Sequence, residues 1–118
     1  MVILIFPLFP KKIISITPQI LAPVQLNIED IKLIIIEAAF RYEIDAQEFL
    51  AVAKCESSFR EKAVGDGGNS MGIFQIHLPS HPNVTEAEAF DPHFSSEWSA
   101  EKFKKNPRIW TCYRHLYE

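Results

Sequence analysis

The sequence predicts a mainly α fold, a compact bundle of short helices with a glycine-rich turn and a small irregular or β element lining a groove. Three observations predict it. Apolar residues recur at helical spacing behind two polar N-caps, Asn27 and Asp45. The run Gly65-Asp66-Gly67-Gly68-Asn69 breaks that pattern with residues that accept positive φ. Asp91-Pro92 and Asn106-Pro107 then punctuate the rest into further short helices.

From Asn27 the chain reads as helix. Glu29 and Asp30 lie in the first turn, where the partial positive charge of a helix start favours them. Ile28, Ile31, Ile35, Ala38 and Ala39 step by threes and fours, while Leu33, Ile34 and Ile36 widen the stripe, so a well-buried helix ending near Tyr42 is expected. Asp45 caps a second helix, Ala46 to about Cys55, with Glu48 placed to complete a capping box. Its expected core face is Phe49, Leu50, Val52 and Ala53, and Ser57-Ser58 stop it. Beyond the glycine-rich turn, Ile73-Phe74-Gln75-Ile76 is short enough for a strand or a helical turn and ends at Leu78-Pro79-Ser80-His81-Pro82. Val84 to Phe90 reads as helix with Thr85 or Asn83 as cap. A further helix is expected from about Ser95 through Phe103, and Arg108 to Tyr117 forms the last helical piece.

Length and composition bound the rest. At 118 residues the chain holds one domain at most, expected over residues 27–118. Residues 1–26 form a separate hydrophobic, proline-containing segment that reads as an export signal or as a tail. Its apolar runs are too short to span a bilayer comfortably as a helix, so no stable membrane span is expected. A hydrophobic content of 47%, a charged content of 23% and a formal net charge of -3 describe an ordinary globular chain and argue against a nucleic-acid binder. The basic residues near the C-terminus, Lys102, Lys104, Lys105, Arg108 and Arg114, fit a solvated helix face better than a polymer-binding surface. Cys55 and Cys112 have no metal-ligand spacing; they either pair in an oxidising compartment or stay as two buried thiols. His77, His81, His93 and His115 show no ligand spacing either, so neither metal nor cofactor is expected.

Glu56 carries the most chemistry. It closes an apolar helix in Cys55-Glu56-Ser57-Ser58-Phe59, and a tight turn folds back towards it before Met71-Gly72-Ile73-Phe74-Gln75-Ile76. Partial burial at such a position penalises the ionised form and holds a proton for delivery at neutral pH, which is what a general acid needs.

The order of these features resembles the transglycosylase domain of the lytic transglycosylases, in the lysozyme-like superfamily. The resemblance rests on Leu50 through Phe59, Gly68 through Ile76 and Ala89-Phe90-Asp91-Pro92, and covers about residues 30 to 117. It implies a lysozyme-like α+β fold and a peptidoglycan lyase in which Glu56 is the catalytic acid. Ser57, Met71, Gly72, Gln75 and Tyr113 are the expected substrate-side residues, with peptidoglycan glycan strands as partner, a monomer, and action outside the cytoplasm or from a phage. In that family Asp-Pro is usually followed two or three residues later by Asn; here the third position after Pro92 is Ser95.

Each residue also has a plainer reading. Ser57 ends the helix or orients the carboxylate. Met71 is core or groove wall, and Gly72 serves close backbone approach to core or sugar. Gln75 is expected as a donor to sugar groups, whereas Tyr113 is expected to bury its ring rather than reach the carboxylate. Trp98 and Trp110 fit core better than sugar stacking. Asp66 as a turn former and Asp91 as a helix cap leave no second carboxylate of comparable standing, which favours transglycosylation over hydrolysis. A muramidase on the same fold and a non-catalytic glycan-binding or structural component remain the alternatives.

Overall fold

The computed structural model describes residues 25–118, so nearly all of the N-terminal segment, and its reading as signal or tail, lies outside the described residues. The fold is mainly α with a small three-stranded antiparallel sheet. The helices are α1 (Ile28–Tyr42), α2 (Ala46–Ser57), α3 (Glu86–Phe90), α4 (Pro92–Lys105) and α5 (Thr111–Tyr117). The strands β1 (Val64–Gly65), β2 (Ser70–Met71) and β3 (Ile76–His77) lie between α2 and α3. Single 3-10 turns occupy Asp66–Gly68, Leu78–Ser80 and Pro107–Ile109.

Local chemistry sets the helix limits. Asn27 and Asp30 form a full capping box at α1, and Thr85 and Glu88 form another at α3. At α2 only half of the expected box forms: the Asp45 carboxylate accepts from the Glu48 amide at 3.0 Å, without the return bond from Glu48. Both α1 and α2 end on left-handed residues, Glu43 at φ 55° and Ser58 at φ 52°. The helix expected from Ser95 starts earlier, because Asp91 caps it through the His93 amide and Pro92 fits the first helical position, where no donor is needed.

One apolar cluster fills the centre. Ile31, Ile35, Ala38 and Ala39 of α1 meet Phe49, Val52 and Ala53 of α2, Ala100 and Phe103 of α4, and Trp110. Two expected core residues fall elsewhere: Ile28 is 53% exposed and Leu50 only half-buried, because the broad α1 stripe is covered on one side alone. Broadest of the helix contacts is that of α1 with α4, whose buried residues include Ser95, Ser96, Ser99 and Ala100. Small side chains at these positions let neighbouring elements approach α4 closely.

The segment Ile73–Gln75 is neither strand nor helix but the turn that joins β2 to β3, with Ile73 and Phe74 driven into the core. Phe74 stacks on Phe49 with ring centroids 4.3 Å apart. Its carbonyl accepts the Trp110 indole N–H at 3.0 Å. Gly72, at φ 85°, lies so close to α3 that a Cβ would stand 1.9 Å from the Ala89 carbonyl oxygen. The sheet is thereby held between α2, α3 and the C-terminal segment.

Cys55 and Cys112 are paired, joining α2 to α5 across a sequence separation of 57 residues. Neither is a buried thiol; Cys55 is exposed. A loop of that length contributes roughly 4 kcal/mol in the chain-entropy model. Reduction is therefore expected to lower the unfolding free energy by about 2–4 kcal/mol in a urea titration run with and without a thiol reductant. An unchanged midpoint would show that α5 docks without the cross-link.

Candidate functional site

Glu56 is the penultimate residue of α2 and half-buried. The left-handed pair Ser58 and Phe59, at φ 52° and 62°, turns the chain sharply after it. The side chain opens into a cleft of about 480 Å³. Asp66, Ser70, Gln75 and Ile76 of the sheet region line one side of it. His77, Ser80, His81 and Trp98 line it too, together with Ile109, Trp110 and Thr111 from the segment leading into α5.

Burial pushes the Glu56 carboxyl above its ordinary value of 4.5, the backbone amide of Cys112 works against that rise, and the negative charge of Asp66 adds to it. The C-terminal end of α2 acts in the same direction, since its unpaired carbonyls disfavour an anion. What the site offers is a carboxylic acid that keeps its proton to higher pH than an exposed glutamate does. That is the requirement for protonating a leaving oxygen near neutrality.

The expected substrate-side residues separate in space. Gln75 lines the cleft with Glu56. Its Nε2 donates to the carbonyls of Ala63 at 3.1 Å and Gly72 at 2.9 Å, so both amide hydrogens are engaged inside the sheet region. Its remaining polar group is Oε1, an acceptor, where the sequence led to the expectation of a donor. Gly65 makes room for it: a Cβ there would stand 2.4 Å from that oxygen. Ser57 is 2% exposed and donates to the Ala53 carbonyl, ending the helix from within. Met71 is half-buried and packs against Ile76, Val84 and Ala89, while Gly72 faces α3. Tyr113 packs edge-on against Phe103 at 5.5 Å, against the central cluster. None of Ser57, Met71, Gly72 or Tyr113 lines the cleft.

Several lining residues stand outside the sequence-derived set, and Asp66 is the most consequential. It forms the turn as expected, at φ 51°, yet its carboxylate also accepts the buried Ser70 hydroxyl and shares the cleft with Glu56. An acidic residue inside the glycine-rich turn, four positions before a serine, was the available signal. Trp98 lines the cleft with its ring against His81, centroids 4.7 Å apart, and Lys102 lies over its face. Trp110 also borders the cleft, although its indole N–H points inward to Phe74. Ser95, where the related pattern usually has asparagine, is fully buried and sits in the core rather than in the cleft.

A second groove of about 500 Å³, between α1 and α2, is lined by Ile28, Lys32, Leu50, Ala51, Lys54, Ser58 and Phe59. It is mostly apolar and holds no carboxylate, so it has none of the acid chemistry of the Glu56 cleft. Among the described residues no group of three or more His, Cys, Asp or Glu side chains could hold a metal ion, and no helix is long and apolar enough to cross a membrane.

The family model described as the transglycosylase SLT domain matches residues 33–111, which is more than half of the chain and includes every residue lining the Glu56 cleft. Comparison with curated proteins and with solved structures gives no match.

Two outcomes follow from this geometry. Because the folded-state value of Glu56 is raised, its contribution to stability is complete below the unfolded value and is lost as pH rises through the folded one. Glu56→Gln should therefore melt above wild type at about pH 7.5, with the gap closing towards about pH 4, in paired calorimetric scans. A gap independent of pH would mean that the carboxyl is not perturbed. Gly65→Ala should displace the Gln75 amide and destabilise the sheet region by about 1–3 kcal/mol, measured by denaturant unfolding. Gly65→Ala together with Gln75→Ala should recover much of that loss.

Proposed function

The chain belongs to the transglycosylase SLT domain family, and from that premise we propose that it cuts the β-1,4 bond between N-acetylmuramic acid and N-acetylglucosamine in peptidoglycan. The family acts on glycan strands by breaking glycosidic bonds, and Glu56 is the group in this cleft suited to do so. The observation that carries the reading is the half-buried carboxylic acid, held towards its protonated form at the end of α2 and facing an open cleft.

The proposed reaction uses one proton carrier twice. The Glu56 carboxyl donates its proton to the glycosidic oxygen as the bond from the muramoyl C1 to that oxygen breaks. The electron-poor C1 is relieved by the substrate's own acetamido oxygen. The 6-hydroxyl of the same sugar then attacks C1, and its proton passes to the Glu56 carboxylate, restoring the acid and closing a 1,6-anhydro ring without water. Gln75 supports this course as an acceptor for a sugar hydroxyl or amide N–H. Action outside the cytoplasm is part of the proposal, since peptidoglycan lies there and a Cys55–Cys112 pair is stable in oxidising surroundings.

A second reading, hydrolysis by a muramidase, is favoured by one observation. Asp66 brings a second carboxylate to the cleft, and hydrolases use two. The two readings differ in their products. Digestion of purified sacculi followed by mass spectrometry should show muropeptides with anhydro ends, and Glu56→Gln should lower release by at least about a thousandfold. Reducing ends in place of anhydro ends would establish the hydrolase, and full activity in Glu56→Gln would remove both readings.

A further inference from the structure

Asp66 lies ten residues beyond Glu56 in sequence, in a separate turn, and the fold sets both residues on one cleft. Its placement is built rather than incidental. The residue is held left-handed at φ 51°, the fully buried Ser70 hydroxyl is bonded to its Oδ2, and the Asn69 amide donates back to its carbonyl at 3.2 Å. The φ and the Asn69 bond belong to the backbone turn; the Ser70 bond is made to the carboxylate itself and fixes where its charge sits. Ser70 is anchored in turn by the β1–β2 and β2–β3 pairings, opposite Gly65 and His77. The carboxylate is thus fixed on the hairpin wall while Glu56 stands on the helix wall.

We propose that Asp66 is a second functional carboxylate of this cleft: it exchanges no proton in the reaction, and its negative charge stabilises the positive C1 centre formed when Glu56 gives up its proton. The proposal rests on the glycosidase reading above and deepens it. No bond to Asp66 forms or breaks; the proton moves from Glu56 to the leaving oxygen and returns from the 6-hydroxyl. Two effects act together. A fixed anion close to the reacting centre lowers the energy of developing positive charge without reorganising at the moment of reaction. The same anion opposes a second negative charge on Glu56, which keeps the acid loaded before the bond breaks. The other charged or titratable groups on this cleft or against it are His77 on β3, His81 and Lys102 over Trp98, with the Cys112 amide beside Glu56. None of these is a carboxylate.

Asp66→Asn tests the charge with little change in shape, since asparagine tolerates the left-handed region and can still accept from Ser70. Wild type, Asp66→Asn and Ser70→Ala would be compared on purified sacculi across pH, alongside a carbon-detected NMR titration of the Glu56 carboxyl. Expected for Asp66→Asn is a fall in kcat of about a hundredfold with KM within about threefold, as for loss of an interaction made mainly in the transition state. The alkaline limb of the rate profile and the Glu56 titration should both move to lower pH. Ser70→Ala, which keeps the charge and loosens it, should fall between. An active wild type whose Asp66→Asn variant keeps its rate and pH profile overturns the proposal and leaves the Glu56 reading standing. Wild type that releases reducing ends, lost in Asp66→Asn, makes Asp66 a base on water and also overturns it. Wild type inert towards sacculi removes the glycosidase reading, and this proposal with it.

Discussion

Phe74 is the residue on which the cleft depends. It lies at the turn between β2 and β3, fully buried, with its ring on Phe49 of α2 and its carbonyl bonded to the Trp110 indole. Those contacts join three parts of the chain that are distant in sequence: the helix that ends at Glu56, the hairpin that carries Gln75, and the segment leading into α5. Burial of an aromatic ring of this size contributes about 2–3 kcal/mol relative to exposure, more than any one hydrogen bond in the hairpin. The sheet has only two residues in each strand, so its ladder bonds alone would not hold it. The aromatic packing fixes the walls, and the ladder only orients them.

Within those walls two opposing demands meet at Glu56. Stability favours a carboxylate in water, whereas acid chemistry favours one that is partly withdrawn from it. The site leans towards the second by burial, by the end of α2 and by Asp66, and restrains the shift through the Cys112 amide. The disulfide therefore has more than a stabilising part. It fastens the residue beside Glu56 to the one whose amide steadies it, so α5 belongs to the site even though Tyr113 faces the core.

Much of the fold was legible because its signals are local. Asn27, Asp45 and Thr85 cap helices where a side-chain oxygen can reach an amide three residues on, and that depends on nothing distant. The misreadings have a common source. Ile28 and Leu50 carry apolar side chains whose burial depends on which neighbour arrives, and Ile28 stays 53% exposed. The stretch Ile73–Gln75 resolves as a turn because the core claims Ile73 and Phe74 together, which alternation along a strand would forbid. At the cleft, Glu56 and Gln75 were legible from spacing, while Ser57, Met71, Gly72 and Tyr113 are neighbours of the motif that point into packing.

By itself the sequence determined the mainly α class, the helix caps, the glycine-rich turn and the prominence of Glu56, since each follows from residues within a few positions of one another. Only the tertiary structure decided that Asp66 shares a cleft with that acid, that Gln75 presents its oxygen rather than its nitrogen, and that the two cysteines meet. The reason is one of range. Caps and turns are set by hydrogen bonds a few residues long, whereas a cleft is the space left when distant apolar surfaces pack, and its lining is settled only once they have done so.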